Sequence, residues 1–97
     1  MEKLTESKIN EALKRLNGWK FAENRLQKEY VFEDFSSSVD FINSILPVAN
    51  SMNHHPDVCI SYNRVNVLLT THDAGGVTQK DLELAEKIDR LIKSKQK

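Results

Sequence analysis

The stretch Val58-Cys59-Ile60-Ser61-Tyr62-Asn63-Arg64-Val65-Asn66-Val67-Leu68-Leu69 alternates large apolar residues with polar or smaller ones on both sides of a polar pair. A period of two is the signature of a half-buried strand, so the stretch predicts a hairpin. If Asn63-Arg64 is its two-residue turn, Tyr62 faces Val65, Ile60 faces Val67 and Val58 faces Leu69. Extended outward, that register sets His55 opposite His72. A four-residue loop keeps the register, whereas an odd loop shifts it by one and brings His54 nearer. Either way His54, His55 and His72, the three histidines of the chain, gather at one end of the hairpin. Pro56 interrupts the ladder there.

Upstream, Trp19 to Ala22 and Leu26 to Phe32 predict a first hairpin about Glu23-Asn24-Arg25, with Tyr30 and Phe32 on one face. Before it, Thr5 caps a helix whose apolar stripe is Ile9, Ala12, Leu13 and Leu16, with Leu4 as a staple onto Ile9 and Asn17-Gly18 as the stop. Between the hairpins lies a helix over residues 37–52, with caps offered by Ser36 to Ser38. It carries two apolar stripes, one through Val39, Ile42, Leu46 and Ala49, the other through Phe41, Ile45, Val48 and Met52. A chain of 97 residues could hardly cover both, so one stripe is expected on the sheet and the other on a partner subunit. Pro47 should kink this helix. After the second hairpin, Gly75-Gly76 reads as a turn, and Thr78 with Asp81 as an approximate capping box for a last helix with its stripe at Leu82, Ala85, Ile88, Leu91 and Ile92. The prediction is an α+β domain spanning residues 1–97, ordered α-β-β-α-β-β-α, with a four-stranded antiparallel sheet carrying three helices on one face.

Lys plus Arg and Asp plus Glu are both 14, which gives no electrostatic footprint for nucleic acid or an anionic membrane. The short basic stretch Lys93 to Lys97 reads as a solvated tail. One cysteine, Cys59, excludes a disulfide framework within the chain, and its strand pattern suggests a small buried hydrophobe. No apolar run approaches a membrane span and the charged start is not a signal peptide, so a soluble cytoplasmic protein is expected.

Three clustered imidazoles could hold a metal, perform acid-base chemistry, or serve only as caps and turn residues. A metal needs converging rings, yet adjacent residues in an extended chain point apart, and His54-His55 lacks the i,i+4 helical spacing of zinc sites. Acid-base work suits imidazole, which gives and takes protons near neutrality. No serine or thiol nucleophile motif competes, and Gly75-Gly76 lacks the spacing and lysine of a phosphate loop.

Asn53-His54-His55-Pro56-Asp57, Tyr62-Asn63-Arg64-Val65, Thr71-His72-Asp73 and Asp81, with Gly18-Trp19 near the start, resemble the pterin-4a-carbinolamine dehydratases, in order and over nearly the whole chain. The resemblance implies a lyase that removes water from a 4a-hydroxytetrahydropterin to give the quinonoid dihydropterin in tetrahydrobiopterin recycling, with no metal and no organic cofactor. It implies His54, His55 and His72 as the catalytic set, His54 and His72 being the acid-base pair and His55 binding or orienting the pterin. Asn53, Pro56, Thr71, Asp73 and Ala74 would bind substrate, partly through backbone groups. It also implies a homodimer through the sheet edge or a homotetramer through helix 37–52, without nucleic acid or membrane as partner. The alternative within the same fold is a non-catalytic dimerisation module of the coactivator type. Two positions depart from the family. Where a Glu is common four residues before His54, this chain has Asn50, which can hydrogen-bond that ring but cannot stabilise an imidazolium by charge. Val58-Cys59 replaces the aromatic pair of animal members, at a pocket wall or an assembly contact.

Overall fold

A computed structural model describes residues 2–95, with side chains through 92; the basic stretch read as a solvated tail lies outside those side chains. The elements are α1 (Glu6–Leu13), β1 (Lys20–Ala22), β2 (Arg25–Val31), α2 (Phe35–Met52), β3 (Asp57–Ser61), β4 (Arg64–Leu69), a 3-10 turn (His72–Ala74) and α3 (Gln79–Lys95). The strands form one antiparallel sheet in the order β1-β2-β4-β3. Pairing sets Phe21, Leu26, Tyr30, Val58, Ile60, Val65, Val67 and Leu69 on one face, and the central members of that row are buried. The opposite face carries Gln27, Glu29, Arg64, Asn66 and Cys59 and stays open or half open. The expected α-β-β-α-β-β-α order and the α+β class are therefore what the chain adopts.

Local chemistry explains most boundaries. Thr5 accepts from Lys8 N–H and starts α1, and Gly18, at φ +85°, turns the chain toward β1. Lys28 shares the helix-facing side of β2 and escapes burial of its charge by reaching Asp89 on α3 and the Asn17 carbonyl, at 2.9 and 2.7 Å. A Cβ on Gly18 would come within 3.0 Å of the Lys28 side chain. Asp89 also accepts from Trp19 Nε1 at 3.0 Å and Tyr30 Oη at 2.6 Å, so three donors pin α3 to the sheet. Phe41 lies fully buried against Tyr30 and Phe32, with ring centroids 4.7 and 5.0 Å away.

Five details differ from the sequence expectation. α1 ends at Leu13 with Lys14 as its C-cap, short of the Asn17-Gly18 stop expected for it. The cap of α2 is Asp34, which accepts from Ser37 N–H at 2.9 Å, and not Ser36 to Ser38; Ser38 is buried and bonds the Asp34 carbonyl. The first turn is two residues, Glu23-Asn24, both at positive φ, as a tight hairpin requires. Cys59 is exposed, because β3 is an edge strand and Cys59 lies on its open face. The second turn is Tyr62-Asn63, so Ile60 pairs with Val65 and Val58 with Val67. The register has slid by two residues. A slide of two leaves side chains on their intended faces, so Val65, Val67 and Leu69 are buried as expected. On α2, Phe41 and Ile45 are buried while Leu46 is 58 % exposed, so the stripe through Phe41 is the one on the sheet; Ala49, from the other stripe, is buried with it.

Candidate active site

Two chain reversals build the site. α2 ends at Asn53, which takes the left-handed conformation (φ 52°, ψ 40°), and His54 N–H closes back on the Ala49 carbonyl at 3.1 Å. That geometry is a helix stop that Asn tolerates better than other non-glycine residues. At the other side, β4 runs into the 3-10 turn, where Thr71 bridges Gly76 and its carbonyl accepts from Ala74 and Gly75 N–H, both at 3.0 Å. Gly75 supplies a φ of +78°. A Cβ on Gly76 would lie 2.5 Å from the Lys3 side chain and 2.9 Å from Asn24 Oδ1, so both would have to shift to admit one. Asn24, from the β1–β2 turn, donates to the Gly75 carbonyl at 2.7 Å and accepts at its own carbonyl from Thr70 Oγ1 at 3.2 Å. The loop carrying His72 is thus tied to a hairpin far away in sequence.

Between these reversals lies a pocket of about 320 Å³ lined by Asn53, His54, His55, Thr70, Thr71, His72 and Asp73. The three histidines do line one space. Of the other expected residues, Asn53, Thr71 and Asp73 also line it, whereas Pro56 and Ala74 do not, and the Ala74 N–H is engaged inside the 3-10 turn. A larger groove of about 420 Å³ lies beside the Lys28–Asp89 pair, lined by residues that include Arg15 and Glu86, and holds no histidine.

The three imidazoles differ in surroundings. His54 is largely buried and its Nε2 lies 2.5 Å from Asp81 Oδ1; the Asp81 side chain is fully buried. The other carboxylate oxygen, Oδ2, accepts from Thr78 N–H and from Thr71 Oγ1, each at 2.8 Å. An ionised carboxylate only accepts, so against it the His54 ring presents Nε2–H, and in the neutral ring Nδ1 is left without a proton. His55 is exposed and its Nε2 lies 2.9 Å from Asn50 Oδ1. Asn50 therefore partners His55 and not His54, and the charge that the sequence reading found missing beside His54 is supplied by Asp81. His72 is exposed in the 3-10 turn. Among the described residues, no three His, Cys, Asp or Glu side chains converge as a metal site.

Asp81 was legible in the sequence as half of a capping box and as one of the residues behind the family resemblance, with no role in the site assigned to it. It does cap, through one oxygen; the second oxygen makes it part of the site. Thr70 and Asn24 carried no sequence signal, because their partners are set by the tertiary meeting of two loops.

A family model for pterin 4 alpha carbinolamine dehydratase matches residues 2–91. The chain belongs to the pterin-4a-carbinolamine dehydratase family. A protein of Sulfurisphaera tokodaii provisionally named a pterin-4-alpha-carbinolamine dehydratase is 55 % identical over 92 residues, which span 95 % of this chain and 99 % of that one. A relative from Thermosynechococcus vestitus with the same provisional name is 47 % identical over 90 residues, 93 % of this chain and 95 % of its own. Among solved structures, a transcriptional coactivator/pterin dehydratase from Brucella melitensis superposes with a TM-score of 0.89 at 37 % identity, covering 93 % of this chain and 98 % of that one. A pterin dehydratase-like RuBisCO assembly factor of the alpha-carboxysome shares the fold, with a TM-score of 0.61 at 18 % identity over 75 % of this chain and 84 % of its own.

Proposed function

We propose that this dehydratase-family chain is an active hydro-lyase that converts a 4a-hydroxytetrahydropterin to the quinonoid dihydropterin and water. The observation that carries this reading is His54, held through Nε2 on the buried Asp81 carboxylate, in a pocket that His55 and His72 also line.

The chemistry calls for two proton transfers. The N5–H proton leaves to a base and the nitrogen electrons form the C4a=N5 bond. The C4a–O bond breaks as its oxygen takes a proton from an acid, and water departs. His54 suits the base: it receives the N5 proton at Nδ1 while Asp81 stabilises the imidazolium that forms, the same logic by which a carboxylate supports histidine in a hydrolase triad. His72, across the pocket, suits the acid, and His55, anchored by Asn50, orients the pterin. Each transfer is worth on the order of 10²–10⁴ in rate. Asn53 and Asp73 offer polar groups to the flat ring from either side, and the reaction draws on no cofactor in this reading.

Stopped-flow decay of a 4a-hydroxytetrahydropterin tests it. His72→Ala should lose most of the acceleration. His54→Gln, which retains an amide N–H for Asp81 while abolishing the base, should do the same. Both variants matching wild type would sink the assignment.

Assembly belongs to the same proposal. Leu46 on α2, Ile60 on the edge strand β3 and Tyr62 in the turn after it leave apolar surface uncovered in one chain, with Leu46 at 58 % and Tyr62 at 63 % exposed. A dimer through that edge, or a tetramer through α2, would cover it, and a monomeric mass by light scattering would count against both.

A further inference from the structure

Thr78 immediately precedes α3, where a threonine hydroxyl ordinarily caps the helix. Here it does something else. Thr78 is fully buried, and its Oγ1 lies 2.8 Å from Thr71 Oγ1. Thr71 Oγ1 in turn donates to Asp81 Oδ2 at 2.8 Å. A hydroxyl has a single proton. Since that of Thr71 is committed to the carboxylate, the contact between the two threonines must be made by the Thr78 proton. The direction of the chain is thereby fixed: Thr78 O–H to Thr71 Oγ1, Thr71 O–H to Asp81 Oδ2, and His54 Nε2–H to Asp81 Oδ1.

We propose that Thr78 is a positioning residue for His54: acting through Thr71, its buried hydroxyl fixes the Asp81 carboxylate, and with it the tautomer and orientation of the His54 ring. The torsion that turns a carboxylate about its own axis is soft. Asp81 needs donors from more than one direction to keep Oδ1 on His54, and it has two on Oδ2, one from the start of α3 and one from the loop after β4. Thr71 can serve as a fixed donor only if its own rotamer is held, and the proton from Thr78 holds it. Aligned hydrogen bonds also polarise one another, so the outer hydroxyl strengthens the inner bond. Because residues 71 and 78 stand at the two ends of the loop that carries His72, the same contact closes that loop. One hydroxyl therefore stands behind both proposed proton-transfer groups.

The kinetic consequence rests on the dehydratase reading; the consequence for the His54 ring does not. Valine keeps the shape of threonine and the Thr78 backbone N–H, so Thr71→Val, Thr78→Val, the double variant and Thr78→Ser form the test set, with Thr78→Ala in reserve should valine impair folding. Thr71→Val should lower kcat about tenfold and Thr78→Val about threefold, as expected for losing a bond to a charged group and for weakening one. Thr78→Ser should restore wild-type kcat. In the Thr71→Val background, adding Thr78→Val should change nothing further, since the outer hydroxyl acts only through the inner one. Nitrogen NMR of the His54 ring should show Nε2–H with bare Nδ1 in wild type, and a displaced Nε2 resonance in Thr78→Val as the loosened carboxylate weakens that bond. Independent, multiplying losses in the double variant would overturn the relay, and so would unchanged His54 ring shifts in Thr78→Val. A wild-type protein with no dehydratase activity would refute the proposed function alone, because the ring shifts would still decide the relay.

Discussion

Asp81→Asn isolates what the buried carboxylate contributes, because the replacement is isosteric and its consequence follows from the donors around it. The Oδ2 position faces two donors, Thr78 N–H and Thr71 O–H. An amide NH2 placed there would oppose the backbone N–H, so the asparagine must put its oxygen on that side and its NH2 toward His54. The His54 Nε2, 2.5 Å from the carboxylate in the native protein, would then have to accept. In a neutral ring the proton moves to Nδ1. The nitrogen meant to take the N5 proton becomes a donor. In the serine hydrolase triad the corresponding change costs about 10⁴ in kcat through the wrong tautomer. With His72 still in place we expect a loss on the order of 10³, about 4 kcal/mol in the barrier. Folding should survive, since every bond except the short charged one is kept. Stopped-flow kinetics of 4a-hydroxytetrahydropterin decay, with circular dichroism as a control, measure this directly. An Asp81→Asn enzyme within threefold of wild type would show that neither the tautomer nor the charge at His54 matters, and the base assignment would fall.

Tyr30→Phe removes a 2.6 Å bond to Asp89 but leaves Trp19 and Lys28 on that carboxylate, so it should cost about 1–2 kcal/mol and lower Tm by several degrees. Burial first, and the Asp89 carboxylate second, push the Tyr30 phenol far above its ordinary 10.0. The folded state therefore keeps a proton that the unfolded chain loses, and wild-type stability should fall above about pH 10 more steeply than that of Tyr30→Phe; parallel alkaline limbs in denaturant titrations would contradict this. Asp34 has its carboxyl lowered chiefly by the Ser37 backbone N–H and then by the Ser37 side chain. Its capping contribution is therefore present above the ordinary carboxylate range and lost as pH falls through the folded value. The Tm gap between wild type and Asp34→Ala should be open at about pH 7 and narrow as the solution is acidified below the ordinary carboxylate range; a gap that stays constant on acidification would refute it. Asn24 sits at φ 63°, a conformation glycine accepts, so Asn24→Gly removes only the amide that holds the Gly75 carbonyl. It should raise hydrogen exchange over residues 72–76 and lower kcat/KM about threefold; unchanged exchange would mean the clamp is idle.

The sequence made the element order and the buried face legible because both depend on short periods written in local residue types. Lys28 is a charged residue on the core side of β2, and what accommodates it, Asp89 on α3, lies 61 positions away. The hairpin register escaped for a similar reason. Local turn chemistry favours asparagine at a positive φ, yet the turn sets Tyr62 there, at 51°. A contact with β2's end accounts for this: Phe32 N–H donates to the Asn63 carbonyl at 2.8 Å while Asn63 Nδ2 donates to the Phe32 carbonyl at 3.1 Å. That tertiary pair outweighs the local preference. The family pattern implies substrate binding by backbone groups around Thr71; its side chain, for which the sequence carried no signal, bonds Asp81 and Thr78.

Asn50 shows most clearly how one backbone choice distributes roles. The left-handed Asn53 releases the chain from α2 in a direction that sends consecutive side chains apart, the alternation that argued against a shared metal. His54 turns inward, to an acceptor that is charged and buried. His55 turns outward, to an acceptor that is neutral and at the surface. A carboxylate can answer a ring that becomes positive during the reaction, whereas an amide can only hold a ring in place. Two identical residues side by side thus acquire different work, and the difference lies in the partners that folding assigns them. On the proposed mechanism, position 50 bears on how the pterin is oriented, and proton transfer falls to His54, its carboxylate and His72.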